Sequence, residues 1–295
     1  KHVRPVVARQ RSVIWILLGV LAEIMLTAAA VCALYIAWQM WWTGVQSEHT
    51  QIETRQAVSW SDPGKAENVT IAQAQEGDPP VQPQNAQEGE LIAQVYIPRF
   101  GSQWQRNLVE GTTLTELNKH GLGHYTNSQM PGQIGNFAFA GHRNGYGQPL
   151  GDVDKLQEGD PIIIRTQDYW YVYHYTKSEI VLPTDVEVVS SNPEEPGATP
   201  TKRMLTMTTC EPKYSTPTHR WISYGEFSYW AKVSDGIPQE LATTDTNGKV
   251  KFINNGKASF ASGITTLEPW IFGALAAYVV IFAAAAVAWR WPCLL

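Results

Sequence analysis

Two long apolar stretches lie near the ends of the chain. Residues 13–38 (VIWILLGVLAEIMLTAAAVCALYIAW) contain a single charged residue, Glu23, and residues 270–289 (WIFGALAAYVVIFAAAAVAW) contain none. A helix of about 20 apolar residues is long enough to cross the roughly 30 Å hydrocarbon core of a bilayer. The pattern predicts two transmembrane helices, which we assign to residues 13–42 and 269–289.

Basic residues next to these stretches predict their orientation. Lys1, Arg4, Arg9 and Arg11 precede the first stretch, while Glu268 precedes the second and Arg290 follows it. Positively charged flanks favour the cytoplasmic side of a membrane. We expect residues 1–12 and 290–295 to be cytoplasmic tails and the intervening part to lie outside. The alternative of a cleaved signal peptide is disfavoured because the apolar run continues well past the small residues 28–30.

The polar and apolar positions between the two stretches divide into three parts. Residues 43–90 are rich in Gln, Glu, Ser, Asp and Pro without apolar periodicity, which is typical of a flexible stalk. Residues 91–237 contain short runs that alternate apolar and polar positions or are continuously apolar, as strands do. Residues 238–268 are again polar and are interpreted as a linker.

The central part is predicted to be mainly β. The strand-like runs are LIAQVYIPRF (91–100), NFAFAGH (136–142), DPIIIRT (160–166), YWYVYHYT (169–176), SEIVLP (178–183), RMLTMTTC (203–210) and RWISYGEF (220–227). One helix is expected in residues 112–121, with Gly121 suited to end it. Many short strands with turn residues between them favour a closed β-barrel of about eight strands with short helices, flanked by the two membrane helices.

Charge and cysteine content narrow the possible chemistry. The formal net charge of −5 gives no basic surface for nucleic acid, and we expect no cofactor and no metal. Of the three cysteines, Cys32 and Cys293 lie in or beside the membrane stretches, which leaves Cys210 alone in the exported part. A single exported cysteine has no intramolecular disulfide partner, so it is either a reactive thiol or a small buried hydrophobe.

The barrel sequence contains the residue types that thiol-based acyl transfer needs. A thiolate is the nucleophile, an imidazole moves protons to and from the leaving and entering groups, and a fixed donor stabilises the oxyanion. Cys210, His142 and Arg220 are the candidates for these three roles. On spacing alone, the histidine remains open, since His124, His174 and His219 compete with His142.

Two segments of the sequence carry a family resemblance. TMTTC (206–210) resembles the TLxTC signature of sortases with Met207 in place of leucine, and the following EPKYSTPTHRWISYGEF resembles class E sortases of actinobacteria. Upstream, GLGHYTNSQMPGQIGNFAFAGHRNGYGQPLGDVDKLQEGDPIIIRT resembles the histidine segment of the same family. The resemblance covers about residues 89–232 and implies the sortase β-barrel.

The resemblance also implies roles for individual residues. It makes Cys210 the nucleophile, His142 the general acid and base, and Arg220 the donor to the oxyanion or substrate. Tyr125 matches a tyrosine that is linked in class E to a preference for alanine over proline in the sorting signal, although it can equally be an aromatic of the barrel wall. Thr209 either positions the substrate or satisfies a backbone group.

The function that the resemblance implies is cell-wall protein sorting at a membrane. Sortases cut exported proteins at an LPxTG-like or, in class E, LAxTG-like C-terminal signal between Thr and Gly. They hold the protein as a cysteine thioester and transfer it to the stem-peptide amine of the cell-wall precursor lipid II. The expected partners are therefore exported proteins with such a signal, lipid II and membrane lipids.

Two alternatives remain open. A class C, pilin-polymerising sortase carries an Asp-Pro-aromatic lid before the barrel, whereas here Asp62-Pro63 is followed by Gly64 and lies far from Leu91. The other alternative is a catalytically idle scaffold that is tethered to the membrane and uses the barrel for binding. The complete set of Cys, His and Arg argues against the idle scaffold.

Overall fold

The computed structural model describes residues 13–62, 66, 68–254 and 277–281. The chain divides into two units, Lys1–Asn255 and Gly256–Leu295. In the second unit, the described residues 277–281 are helical, and the rest of the predicted span at 269–289 lies outside the described residues, as do both predicted tails. Among the described residues, one helix, Val13–Ile36, is long and apolar enough to cross a membrane, with a mean hydropathy of 2.3.

The first unit begins with two helices joined by a π-helical turn. Helix α1 (Val13–Ala37) continues through the turn Trp38–Trp42 into helix α2 (Thr43–Ala57). The flexible stalk expected over residues 43–90 differs from the structure here, since α2 is a regular helix that buries Thr43, Val45, Ser47 and Gln51. Three of these four residues are polar, so the packed face leaves no apolar period for sequence analysis to detect.

Eight strands form the closed barrel that the strand pattern predicts. They are β1 (Leu91–Tyr96), β2 (Gln105–Glu110), β3 (Gly121–His124), β4 (Gly135–Gly141), β5 (Pro161–Arg165), β6 (Tyr169–Val181), β7 (Arg203–Glu211) and β8 (His219–Lys232). Their order around the barrel is β1-β2-β3-β4-β7-β8-β6-β5. The β2–β3 and β4–β7 pairs are parallel, and the other pairs are antiparallel.

The strand predictions are confirmed, except that the first run ends at Tyr96, two predicted runs form one strand, and two strands were missed. The runs at 169–176 and 178–183 are one continuous strand, β6, with an irregular register between Tyr175 and Lys177. Strands β2 and β3 were not predicted, because β3 has only four residues, two of them glycine, and β2 begins with polar residues. The predicted helix is confirmed as α3 (Leu114–His120), which Thr113 caps by accepting a hydrogen bond from the Glu116 N–H at 3.4 Å.

The barrel has an interior core and a second core on its outer face. The interior is filled by apolar side chains from several strands, including Ile92, Leu108, Phe137, Phe139, Tyr173, Leu205 and Met207. The outer core contains Tyr96, Ile163 and Trp170 from the barrel together with Ala72, Ile237, Leu241 and Phe252 from the segments outside it. The barrel domain therefore extends in both directions beyond the predicted limits of 91 and 237.

The segments that form the outer core were predicted to be a flexible stalk and a linker. In the structure they are packed on the barrel. Residue Ile71 forms a parallel bridge with Ile237, and Gln75 forms an antiparallel bridge with Trp230. After the barrel, β9 (Ala242–Thr244) and β10 (Val250–Phe252) form a two-stranded sheet. Backbone bridges and isolated apolar residues in polar surroundings make these contacts, and neither produces a periodic signal in the sequence.

Candidate active site

Cys210 lies on β7 directly opposite Arg220 on β8. Residues paired in this way across antiparallel strands point to the same face, with Cβ atoms about 4.5–5.5 Å apart. Because Leu205 and Met207 point into the barrel core, strand alternation directs Thr208 and Cys210 to the outer face. The Cys210 thiol is free and half-buried. The structure therefore brings the candidate nucleophile and the candidate donor together at one end of the barrel.

His142 directly follows β4, which is hydrogen-bonded to β7. The link between the two strands continues to the site, since Thr209 Oγ1 donates to the Gly141 carbonyl oxygen at 2.7 Å. Thr209 is buried and its hydroxyl is satisfied by this bond. The three predicted residues thus converge on the adjacent ends of β4, β7 and β8, and Thr209 fixes the strand end that carries His142.

The His142 ring is held on two sides. Nε2 donates a hydrogen bond to Asn118 Oδ1 of α3 at 2.8 Å, and the ring stacks on Tyr146 with centroids 4.9 Å apart and planes at 27°. The bond to Asn118 keeps the Nε2 proton in place, so Nδ1 carries the lone pair of the neutral ring. Burial lowers the pKa of His142 below its ordinary value, which favours this neutral form. Neither Asn118 nor Tyr146 was predicted from the sequence.

Arg143, the residue after His142, connects all three strand ends. Its buried guanidinium forms ion pairs with Glu211 and with Asp154, the latter at 3.4 Å, and lies over the Trp221 ring with its central carbon 4.7 Å from the centroid. Glu211 follows Cys210 and Trp221 follows Arg220 in the chain. One buried cation therefore joins the residues next to the nucleophile and next to the candidate donor. The AGHR motif contained this arginine, but no spacing rule revealed its role.

Arg220 is half-buried and has donors to offer at the site. Its Nη1 donates to the backbone carbonyl of His219 at 3.2 Å. A guanidinium carries five N–H donors in a rigid plane, so this bond leaves others with which to bind an oxygen beside Cys210. The position suits a group that stabilises negative charge on a substrate carbonyl oxygen.

Tyr125 also lies on the Cys210 side of the barrel wall. Its hydroxyl shares a hydrogen bond of 2.9 Å with Thr208 Oγ1, and Thr208 points to the same outer face as Cys210. A barrel-wall aromatic and a substrate-contacting aromatic are both compatible with this position. The Tyr125 hydroxyl bonds to Thr208, which lies two residues before Cys210 on β7.

The competing histidines have other surroundings. His124 is fully buried and contacts Glu110 through Nδ1 and Ser128 through Nε2, each at 2.9 Å. His174 pairs with Glu226 in the middle of the β6–β8 ladder, and the half-buried His219 contacts Thr218 Oγ1 at 2.9 Å. Among the described residues there is no group of three or more His, Cys, Asp or Glu side chains that could hold a metal ion.

Comparisons with known proteins identify the family. The sortase domain model matches residues 95–228. Sortase SrtE2 of Streptomyces coelicolor is 32% identical over 237 residues, which cover 76% of this chain and 87% of the relative. Sortase SrtE1 of the same organism is 30% identical over 235 residues, covering 76% of this chain and 60% of the relative.

Solved structures agree with the sequence relatives. The SrtA sortase from Actinomyces oris superposes with a TM-score of 0.54 at 38% identity, covering 57% of this chain and 96% of that one. The SrtF sortase from Corynebacterium diphtheriae gives a TM-score of 0.50 at 31% identity, covering 56% and 98%. The fold, the paired Cys210 and Arg220 and these relatives lead to one assignment: the chain belongs to the sortase family of cysteine transpeptidases, in its class E branch.

Proposed function

We propose that this sortase cleaves an LAxTG-like or LPxTG-like sorting signal between Thr and Gly and transfers the exported protein to the stem-peptide amine of lipid II. The observation that carries the proposal is the pairing of Cys210 with Arg220 across β7 and β8. The Thr209 bond to Gly141 ties the strand that bears His142 to the same site. A nucleophile, a proton carrier and an oxyanion donor are thereby available at one strand end.

The first half of the reaction forms a thioester. The Cys210 proton moves to Nδ1 of His142, and the thiolate sulfur attacks the threonine carbonyl carbon. Negative charge develops on the carbonyl oxygen, where the Arg220 guanidinium donates hydrogen bonds. As the bond to glycine breaks, the imidazolium returns its proton to the departing amine. The threonine carbonyl is then bound to sulfur, and His142 is neutral again.

The second half transfers the acyl group. The amine of the acceptor attacks the thioester carbon, and neutral His142 takes the proton that the amine loses. The carbon–sulfur bond breaks, and the proton is returned to the leaving thiolate. The lowered pKa of His142 suits this step, because the ring must be unprotonated to act as a base. Charge and proton count therefore balance over the full cycle.

We assign the selection between sorting signals to the part of the barrel wall that lies next to Cys210. Tyr125 and Thr208 share a hydrogen bond at this wall. In our proposal, the phenol ring limits the room for the second residue of the signal, so alanine is accepted more readily than proline. Thr209 contributes by fixing the strand end rather than by touching the peptide, since its hydroxyl is buried and bonded to Gly141.

The proposed location is the cell membrane, with both termini cytoplasmic and residues 43–268 outside. Helix α1 supplies an apolar length suited to the first span, and the composition of residues 269–289 suits the second. A substrate whose C-terminal tail is held in the same membrane meets the enzyme at a high effective concentration. Membrane lipids and lipid II are the remaining proposed partners.

The position of the Asp62 segment argues against a class C lid. Ser61 accepts a hydrogen bond from Arg165 of β5 through its carbonyl oxygen, and the Arg165 guanidinium lies 5.9 Å from the Trp60 ring centroid. In the barrel order, β6 and β8 separate β5 from β7, the strand that carries Cys210. The segment just before Pro63 is therefore attached to a different part of the barrel wall.

The test uses the full chain in lipid vesicles with LAxTG and LPxTG peptides and a stem-peptide amine. We expect mass spectrometry to find cleavage between Thr and Gly and a ligated product, both absent for Cys210→Ala. Preference for the alanine peptide would support the class E assignment of the signal. Absence of product together with a Cys210 thiol that resists mild alkylation would instead support the idle scaffold.

A further inference from the structure

Both supports of the His142 ring rest on helix α2. One support is Tyr146, whose ring stacks on the imidazole, and the other is Asn118, whose side chain accepts from Nε2. Tyr146 lies in the loop after β4 and Asn118 lies on α3. Neither residue belongs to α2, but α2 contacts the backbone of Tyr146 and that of Lys119, the residue after Asn118.

The contact at Tyr146 is a hydrogen bond to its backbone. Tyr146 has a φ of 48°, a conformation that residues other than glycine rarely adopt and keep only where neighbours hold it. Its N–H donates to Thr43 Oγ1 at 3.1 Å, and the same hydroxyl donates to the Gln39 carbonyl oxygen at 2.7 Å. Thr43 is buried, so water cannot easily replace this acceptor.

The backbones of α2 and the loop also approach closely. A Cβ atom placed on Gly44 would lie 3.2 Å from the Gly147 nitrogen, which leaves no room for a larger residue without a shift of the loop. On the other side, Ser47 Oγ donates to the Lys119 carbonyl oxygen at 3.4 Å, one residue from Asn118. Contacts from Thr43, Gly44 and Ser47, on two successive turns of α2, thus connect this helix to both sides of His142.

We propose that helix α2 is a positioning element of the active site, through which the membrane-proximal part of the chain sets the orientation of His142. The proposal rests on the function proposed above, in which His142 carries the proton. Helix α2 continues from α1 through the turn Trp38–Trp42, so the helix that suits the membrane and the helix that supports the imidazole are consecutive. Thr43, Gly44 and Ser47 are the positioning residues.

The first experiment compares threonine variants of the full chain in vesicles. Thr43→Val keeps the shape but removes the acceptor, and we expect kcat to fall about tenfold at unchanged KM for the peptide, because a misdirected base slows chemistry more than binding. Thr43→Ser keeps the hydroxyl and should restore most of the rate. Thr50→Val is the matched control, since Thr50 Oγ1 makes the same bond to the carbonyl four residues earlier, Gln46, at an exposed position.

A second readout does not depend on activity. Hydrogen exchange at the imidazole C2 carbon, followed by mass spectrometry of histidine peptides, reports the exposure and basicity of each ring. In Thr43→Val the His142 ring should exchange at least about threefold faster, since release of Tyr146 exposes the ring and relieves the burial that lowers its pKa. His174 on β6 should keep its rate and serves as the internal reference.

The Gly44→Ala variant distinguishes the effect of the contact with Gly147 from the effect of helix stability. Alanine favours helix more than glycine does, but its methyl group would press on Gly147, so we expect faster exchange at His142 and a lower kcat despite a firmer α2. Unchanged exchange at His142 in both Thr43→Val and Gly44→Ala would overturn the proposal, as would equal losses in Thr43→Ser and Thr43→Val. If the wild-type chain formed no product, the proposed function would be refuted instead. The exchange data would still decide whether α2 is coupled to His142.

Discussion

Arg143 is the residue whose loss should disturb the site most without touching the substrate. Arg143→Met removes the cation between Glu211, Asp154 and Trp221. Because Glu211 would be left largely buried without its partner, we predict that the free energy of unfolding falls by about 3 kcal/mol, measured by urea denaturation. Lys155→Met, which breaks the exposed pair with Asp152, is the control and should cost well under 1 kcal/mol, as about 0–1 kcal/mol is usual for such pairs. Equal effects in both variants would contradict this account.

A substitution of Arg220 tests the proposed role of its side chain in stabilising the oxyanion. Lysine keeps the charge but not the planar set of donors, so Arg220→Lys should lower kcat/KM about 100-fold. The rate of Cys210 alkylation should stay near that of the wild type, which would show that the thiol remains accessible. Arg99→Lys, at the exposed pair with Asp160, is the matched control. Near wild-type turnover in Arg220→Lys would remove this residue from the mechanism.

The pKa of His142 predicts the acid side of the pH profile. Burial disfavours the imidazolium and lowers the pKa below 6.5, so protonation of the ring in the free enzyme should set in only below that pH. We predict that kcat/KM holds down to pH 6.5 and declines below it. Tyr146→Ala exposes the ring, raises its pKa and should move this decline to higher pH, whereas Tyr146→Phe retains the stacked ring and the profile. If kcat/KM declined at the same pH in Tyr146→Ala as in the wild type, burial would be excluded as the cause of the lowered pKa.

At the residue scale, the sequence supplied candidates for the reacting groups but not the residues that surround them. Cys210, His142 and Arg220 were identified because thiol chemistry demands those residue types and the family motif contains them. Asn118, Tyr146 and Arg143 were not, since their roles arise from contacts between α3, the loop after β4 and β7 that no spacing in the chain encodes. Supporting residues of this kind require the fold.

At the scale of elements, six of the eight barrel strands and helix α3 were predictable, whereas α2 and the strands β9 and β10 were not. Strands β4, β5 and β7 bury long apolar or alternating runs, which give a strong periodic signal. Helix α2 is attached through hydrogen bonds such as that from the Asn107 N–H to Gln51 Oε1 at 3.0 Å. The residues that α2 buries are mostly polar, so the helix has the composition of a flexible stalk. Composition alone could not distinguish a packed helix from a stalk.

The two-stranded sheet of β9 and β10 provides the test at the scale of elements. Phe252 on β10 is buried and meets Tyr96 edge to face with ring centroids 5.8 Å apart. Phe252→Ala should therefore lower the free energy of unfolding by about 3 kcal/mol, as truncation of a buried aromatic does. Leu182→Ala, at a residue that is 52% exposed, is the control and should change it little. No loss of stability in Phe252→Ala would mean that residues 238–254 are a linker after all.

At the scale of the whole molecule, the apolar helix α1 and the candidate active site are joined by consecutive elements. Helix α1, the turn after it and α2 lead directly to the supports of His142, and farther along the chain Ile71 and Gln75 form bridges with Ile237 and Trp230. The two cores and the closed barrel keep β4, β7 and β8 in fixed register. A rigid scaffold with the candidate reacting groups at adjacent strand ends suits the proposed acyl transfer through a thioester.

The measurement that tests this account most directly is the mass of the acylated enzyme. The full chain in vesicles is mixed with an LAxTG peptide without acceptor amine, quenched in acid and digested for mass spectrometry. We predict an added mass equal to the peptide up to its threonine, located on Cys210, removed by hydroxylamine and absent in Cys210→Ala. Cleavage of the peptide by Cys210→Ala, or an acyl group on another residue, would contradict the account.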